Sequence, residues 1–169
     1  KCCAIPVMAA VAVLDMKELD CDIYFSMSAR EEVGHRAVSS AVFRIRPDAA
    51  IVLDVGFGLA PEGKKPDDAD MKGGPIITLS ALLDKDFTDM VIETAKKAEI
   101  PCQPIVDAAT TGTHADEIVY AAGGTPAVLL GVPLWFMHTA NETVALDDLK
   151  YTAKLLVAVI REKFGRKDG

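Results

Sequence analysis

What the 169 residues lack narrows the field first. Basic residues are not in excess: 18 Lys and Arg against 25 Asp and Glu leave a net charge of -7. That balance excludes the basic stripe that nucleic acid or anionic lipid requires. No apolar run approaches the roughly 20 residues that span a bilayer, so no membrane partner is expected. The four cysteines, Cys2, Cys3, Cys21 and Cys102, show no CxxC spacing, which excludes zinc-ribbon and thioredoxin-type sites. Reduced, buried thiols in a cytoplasmic protein are the expectation that remains. The start, Lys1-Cys2-Cys3-Ala4-Ile5-Pro6, does not present the charged segment, apolar core and cleavage site of a signal peptide in order. Internal repeats and low-complexity tracts are also missing. What is present is an ordinary globular profile, half hydrophobic and one quarter charged, long enough for one domain with a real core.

Patterning along the chain alternates between two periods. Ala4 to Leu19 is alanine-rich and apolar, with helical character closed by Lys17-Glu18-Leu19-Asp20. Asp22 to Ser28 contains Ile23-Tyr24-Phe25-Ser26-Met27 and reads as a strand. A helix starting near His35 carries Ala37, Val38, Ala41 and Val42 at helical spacing. Ala49 to Val55 is a continuous apolar run holding Asp54 near its end, the pattern of a central strand buried on both faces. Gly56 to Gly74 is rich in Gly, Pro, Asp and Lys and reads as a mobile loop. Further strands are expected over 75–80, 101–106 and 125–132, and further helices over 86–99, 115–122 and 147–164, with a tail that frays after Gly165. Strands alternating with helices predict an α/β fold: a mostly parallel sheet with helices on both faces.

Chemistry concentrates after those strands. Glu31 and Glu32 stand side by side, and adjacent carboxylates near a buried strand raise each other's pKa unless a cation offsets them. A solvated pair at a helix N-terminus is the simpler reading of the same residues. Sites in open α/β sheets gather outside the carboxyl ends of the strands. Four motifs fall there: Glu31-Glu32, Asp54, Gly112-Thr113-His114 and Met137-His138. Carboxylate oxygen and imidazole nitrogen together suit Zn, Co or Mn. Taken singly, Asp54 also serves as a turn cap, His138 as a core histidine, and His35 as a surface or capping residue.

Five stretches then carry a resemblance. They are Arg30-Glu31-Glu32-Val33-Gly34, Pro47 through Val55, Lys72-Gly73-Gly74-Pro75, Gly112-Thr113-His114-Ala115, and Val132 through Glu142. In order and spacing the chain resembles the tetrahedral aminopeptidases, cytoplasmic dinuclear metallo-aminopeptidases of which some members carry the label endoglucanase M. The resemblance implies a partial metallopeptidase catalytic domain over residues 1–169, acting on peptide substrates. It implies two divalent metal ions, Zn or Co with Mn as a further option. Glu31 is then the general base that takes a proton from the attacking water and returns it to the leaving amine. Glu32 and His138 hold one ion and Asp54 the other, while Gly112, Thr113 and His114 contact substrate. It also implies a homo-oligomer, built from dimers into a dodecamer.

The chain departs from the family pattern at several points. The family also uses a histidine from an upstream segment and a bridging aspartate in a short Asp-Asn-Arg or Asp-Asp-Arg motif before the alanine-rich helix. Here the sequence opens at Lys1-Cys2-Cys3-Ala4, so the chain resembles the C-terminal portion of that domain; Asp15 and Asp20 are poor substitutes. His114 stands where the family has Asp or Asn, with metal binding, substrate contact and packing all open to it. Leu134-Trp135-Phe136 replaces Leu-Arg-Tyr, leaving Trp135 to line a pocket or an interface. Two readings follow: a metallo-aminopeptidase that is inactive as this isolated chain, and a non-catalytic chain that keeps the fold without a complete metal site. Glycan hydrolysis ranks last, because glycosidase carboxylates flank the scissile bond across a cleft and are not adjacent.

Overall fold

Eight consecutive residues, Ala127–Leu134, are all buried and form the strand about which the sheet is laid. The computed structural model describes residues 3–34, 36–61, 68–108 and 110–166. Four strands are found there: β1 (Ala50–Phe57), β2 (Ile76–Leu79), β3 (Gln103–Val106) and β4 (Ala127–Leu134), in the spatial order β1-β4-β2-β3. β1 pairs with β4 in parallel and β2 with β3 in parallel, while β2 meets β4 antiparallel. The sheet is therefore mixed, two parallel pairs joined across one antiparallel seam.

Helices cover both faces, as the alternation of period two requires. The helices are α1 (Ala4–Val13), α2 (Arg36–Ile45), α3 (Lys85–Lys97), α4 (Ala115–Ile118) and α5 (Leu146–Phe164). Ala127 and Leu129 of β4 and Val52 of β1 meet Val38 and Val42 of α2 and Ala115 and Ile118 of α4. Val128 and Leu130 turn the other way, onto Phe87, Val91 and Ala95 of α3 and Leu155 and Val159 of α5. A third cluster lays α1 on α5 through Ala10, Leu156 and Ile160, with Ile23, Ile51 and Leu53 along its margin.

Several sequence expectations are corrected. The helix expected to Leu19 ends at Val13, because Leu14 turns to extended backbone and the Asp15 carboxylate accepts from the Lys17 amide to start a separate short turn. No strand forms over 22–28. Its residues join no ladder, and Tyr24, Phe25 and Met27 are exposed. β1 was expected at the centre of the sheet and lies at its edge, with β4 as its only strand neighbour among the described residues.

The stretch expected as one mobile loop, 56–74, is tied at both ends, while 62–67 lie outside the described residues. Leu59 N–H donates to Ala69 O at 2.7 Å and Ala69 N–H to Phe57 O at 2.8 Å. Asp148, fully buried in the first turn of α5, accepts from the Lys72 and Gly74 amides at 2.8 and 2.9 Å. Gln103 accepts from Asp70 N–H at 2.7 Å and donates to the Asp70 and Gly74 carbonyls. Gly74, at φ 87°, has room only for hydrogen: a Cβ there would collide with the Pro101 carbonyl. The C-terminal segment is held as far as Arg166, whose N–H donates to Glu18 O at 2.9 Å.

Candidate metal and catalytic site

The acid pair sits in a single tight turn, Glu31–Val33, between two residues with left-handed backbone, Arg30 at φ 63° and Gly34 at φ 116°. Glycine adopts that region freely, but arginine there is strained. The turn leads towards α2, which begins at Arg36; His35 lies outside the described residues. α2 is fastened to α4 by Ser39, whose hydroxyl donates to Glu117 at 3.1 Å.

β1 runs three residues past Asp54, so that carboxylate lies inside the strand and not at its end. Asp54 shares parity with Val52 and therefore faces the α2/α4 layer. Its Oδ1 accepts from the Val55 amide at 2.8 Å. Burial raises its pKa above the ordinary carboxylate value, and the charges of Glu31 and Glu32 raise it further. The Val55 amide and the His114 imidazole act in the opposite direction. Glu31, Glu32 and His114, from two other parts of the chain, thus lie within electrostatic reach of Asp54.

His138 arrives from a hairpin-like extension of β4. Trp135 and Thr143 exchange backbone hydrogen bonds of 2.9 and 3.1 Å, closing a loop over 135–143. Within it His138 is left-handed at φ 62°, and its amide donates to Glu142 Oε1 at 2.8 Å. The imidazole Nδ1 is then 3.9 Å from Glu32 Oε2, both side chains largely exposed. Trp135 is half-buried and spends its indole N–H on Leu59 O at 2.7 Å, which anchors this loop to the end of β1. Left-handed non-glycine backbone at Arg30, Phe136 and His138 brackets the acid pair and the histidine, and such strain tends to collect at functional sites.

Gly112, Thr113 and His114 form the turn before α4. Asp116 organises it: Oδ1 accepts from the Thr111 amide and hydroxyl at 2.9 and 2.7 Å, and Oδ2 from the Gly112 amide at 2.9 Å. Thr113 is buried and its hydroxyl accepts from the Ala115 amide at 3.1 Å. Sequence reasoning missed Asp116 and Asp148. Both are acids in a helix's first turn, a position so often solvated that the spacing carries no sign of what each one holds.

The donor chemistry suits a divalent cation: carboxylates and an imidazole converge where a half-buried Asp54 sits among like charges. Among the described residues, no three of His, Cys, Asp and Glu gather closely enough to enclose an ion. Glu32 and His138, 3.9 Å apart, are two donors that do approach each other.

Comparison with known proteins agrees with the α/β fold. The family model of the M42 glutamyl aminopeptidases matches residues 1–155. The lysyl aminopeptidase of Pyrococcus furiosus is 30% identical over 151 residues, covering 89% of this chain and 44% of that protein. Among solved structures, aminopeptidase APDkam598 of the archaeon Desulfurococcus kamchatkensis superposes with a TM-score of 0.87 at 25% identity, over 95% of this chain and 46% of that one. A TET aminopeptidase from a marine-sediment thaumarchaeon gives 0.71 at 26% identity, over 79% and 38%. The chain thus spans about half the length of the curated relatives it matches.

Proposed function

The chain belongs to the M42 glutamyl aminopeptidase family, and from that membership we propose that its 169 residues are part of a metallopeptidase catalytic domain that removes N-terminal residues from peptides. The observation that supports this most is the convergence at β1 of Glu31, Glu32, Asp54 and His114, with His138 3.9 Å from Glu32. In this reading Glu32 and His138 hold one divalent ion and Asp54 a second. Bound ions of this kind make water acidic and polarise a carbonyl. Glu31 takes the proton from the attacking water and delivers it to the leaving amine, a role open to a carboxylate beside the ligands but not bound to them. The turn Gly112-Thr113-His114, stiffened by Asp116, offers a fixed surface to the substrate. Zn or Co, with Mn third, fits the donor set. Free thiols at Cys21 and Cys102 suit a reducing, cytoplasmic setting. Assembly into homo-oligomers, dimer-based and up to a dodecamer, completes the proposal.

Elemental analysis after metal loading tests the division of roles. Glu31→Gln should retain metal, whereas Glu32→Ala, Asp54→Asn and His138→Ala should each lose it. Equal loss in all four variants would make Glu31 a ligand and remove it as the base.

A second reading, a chain that keeps the fold with an incomplete metal site, is favoured by one observation: no three donors enclose an ion among the described residues. Both readings expect the isolated chain to leave peptides uncut, since the bridging aspartate and further histidine of the family pattern are not among its residues, and electrostatic terms of that kind are worth ~10²–10³ each in rate. Aminoacyl-anilides with added Co or Zn provide the assay. Turnover that follows the protein through a sizing column and vanishes in Glu31→Gln would overturn that expectation.

A further inference from the structure

His138 is placed by its backbone more than by its ring. Its side chain is 67% exposed and that of Glu32 73%, so packing does little to fix the imidazole. Yet Nδ1 stands 3.9 Å from Glu32 Oε2. Main-chain geometry has to supply that aim, and it is strained: His138 is left-handed at φ 62° and Phe136 at φ 58°. L-residues avoid this region unless their surroundings hold them in it. The loop over 135–143 is closed at its base by Trp135 and Thr143 and braced inside by hydroxyls. Thr139 Oγ1 donates to Phe136 O at 2.6 Å and accepts from the Asn141 amide at 3.2 Å, and Thr143 Oγ1 donates to Asn141 O at 3.0 Å. Those bonds brace the neighbours of His138. The His138 amide itself donates to Glu142 Oε1 at 2.8 Å, a carboxylate that reaches back over four residues.

We propose that Glu142 is a positioning residue of the candidate metal site. Its carboxylate holds the His138 amide, and through it the left-handed turn that aims Nδ1 at Glu32. The proposal rests on the reading of Glu32 and His138 as ligands of one ion, and adds a residue to which that reading gives no part. A bond from N–H to carboxylate is charge-assisted and stronger than one to a neutral acceptor, which suits an amide that water can reach. Without Glu142 the amide turns to solvent, His138 relaxes out of the left-handed region, and the ring swings away from Glu32. Groups that orient a ligand from behind typically contribute about 10–100-fold to metal affinity. Glu142 acts in this way through the main chain, and Glu32 and His138 remain the donors.

The test compares Glu142→Ala with Glu142→Gln, which keeps an acceptor oxygen, and with Asn141→Ala as a control for the loop. In the metal-free chain, amide exchange at His138 should speed up about tenfold or more in Glu142→Ala and less than about threefold in Glu142→Gln, with β4 and α5 unchanged. Adding Glu32→Gln should displace the His138 ring signals in NMR spectra of the parent chain and of Glu142→Gln. In Glu142→Ala it should leave them in place, because the two side chains no longer face each other. Titration with Co²⁺ alone then reads affinity through broadening of the same ring signals. The concentration for half-broadening should rise about 10–100-fold in Glu142→Ala and stay within about threefold in the other two variants.

A Glu142→Ala chain whose His138 ring still responds to Glu32→Gln would overturn the proposal. So would a Gln variant no better than Ala, or an equal loss in Asn141→Ala. Co²⁺ that broadens His138 equally in every variant would also overturn it while leaving the metal reading intact. Should Co²⁺ leave the His138 signals of the parent chain untouched, the reading of Glu32 and His138 as a metal pair fails. The exchange rates and the response to Glu32→Gln, both measured without metal, then decide the part played by Glu142.

Discussion

Two apolar runs, Ile23–Met27 and Ala127–Leu134, have opposite fates in this protein. β4 is buried along its whole length, with β1 on one edge, β2 on the other and helices on both faces. The 22–28 run has comparable strand-forming character, yet joins no ladder and exposes three of its large side chains. Composition is therefore not what separates them. A strand is completed by its neighbours, which satisfy its backbone groups and take its side chains out of water. Where no ladder forms, the same pattern leaves large apolar side chains on the surface.

The contrast can be broken from the β4 side with the largest effect. Leu130→Ala opens a cavity between α3, α5 and the sheet, and should cost about 2–5 kcal/mol in urea unfolding. A loss below about 1 kcal/mol would mean that β4 is not the packed axis described here. The next effect belongs to the loop that was expected to be mobile. Asp148→Ala orphans the Lys72 and Gly74 amides and should cost roughly 2–3 kcal/mol. Hydrogen exchange should then speed up over 68–75 before it does so elsewhere. Uniform acceleration would show that the clamp does not act locally.

A smaller effect, of opposite sign, is expected at the site. The folded-state pKa of Asp54 is raised, chiefly by burial. The native chain therefore holds that proton more tightly than the unfolded chain does. Stability contributed by this group is present below its unfolded pKa and is lost as pH rises through the folded value. Asp54→Asn should thus stabilise the metal-free chain at neutral pH and have no effect in acid, where both side chains are uncharged. Thermal melts from pH 3 to pH 8 give the difference curve; a variant that is destabilised at pH 7 would contradict the sign. The smallest effect belongs to the exposed run. Phe25→Ser in the isolated chain should shift stability by no more than about 0.5 kcal/mol. A loss as large as that of Leu130→Ala would place Phe25 in a core and erase the distinction between the two runs.

Local patterning alone determined a good part of this protein. The 3.6-residue periods of α2, α3 and α5 and the apolar runs of β1 and β4 read correctly, because each element's buried face is written within a dozen neighbouring residues. The acids and histidines at Glu31, Glu32, Asp54, His114 and His138 were visible for the same reason, as polar residues interrupting or following apolar runs. Tertiary structure decided the rest. That Asp54 faces the α2/α4 layer depends on the pairing of β1 with β4 and the parity it imposes. That Asp148 holds Lys72 and Gly74 depends on a contact across more than 70 residues, which no window along the chain contains. The antiparallel seam between β2 and β4 and the unpaired state of 22–28 are likewise properties of which strands meet. Hydrogen-bond partners in a sheet are supplied by distant chain, so a sequence specifies the readiness to pair and only the assembled fold specifies the partner.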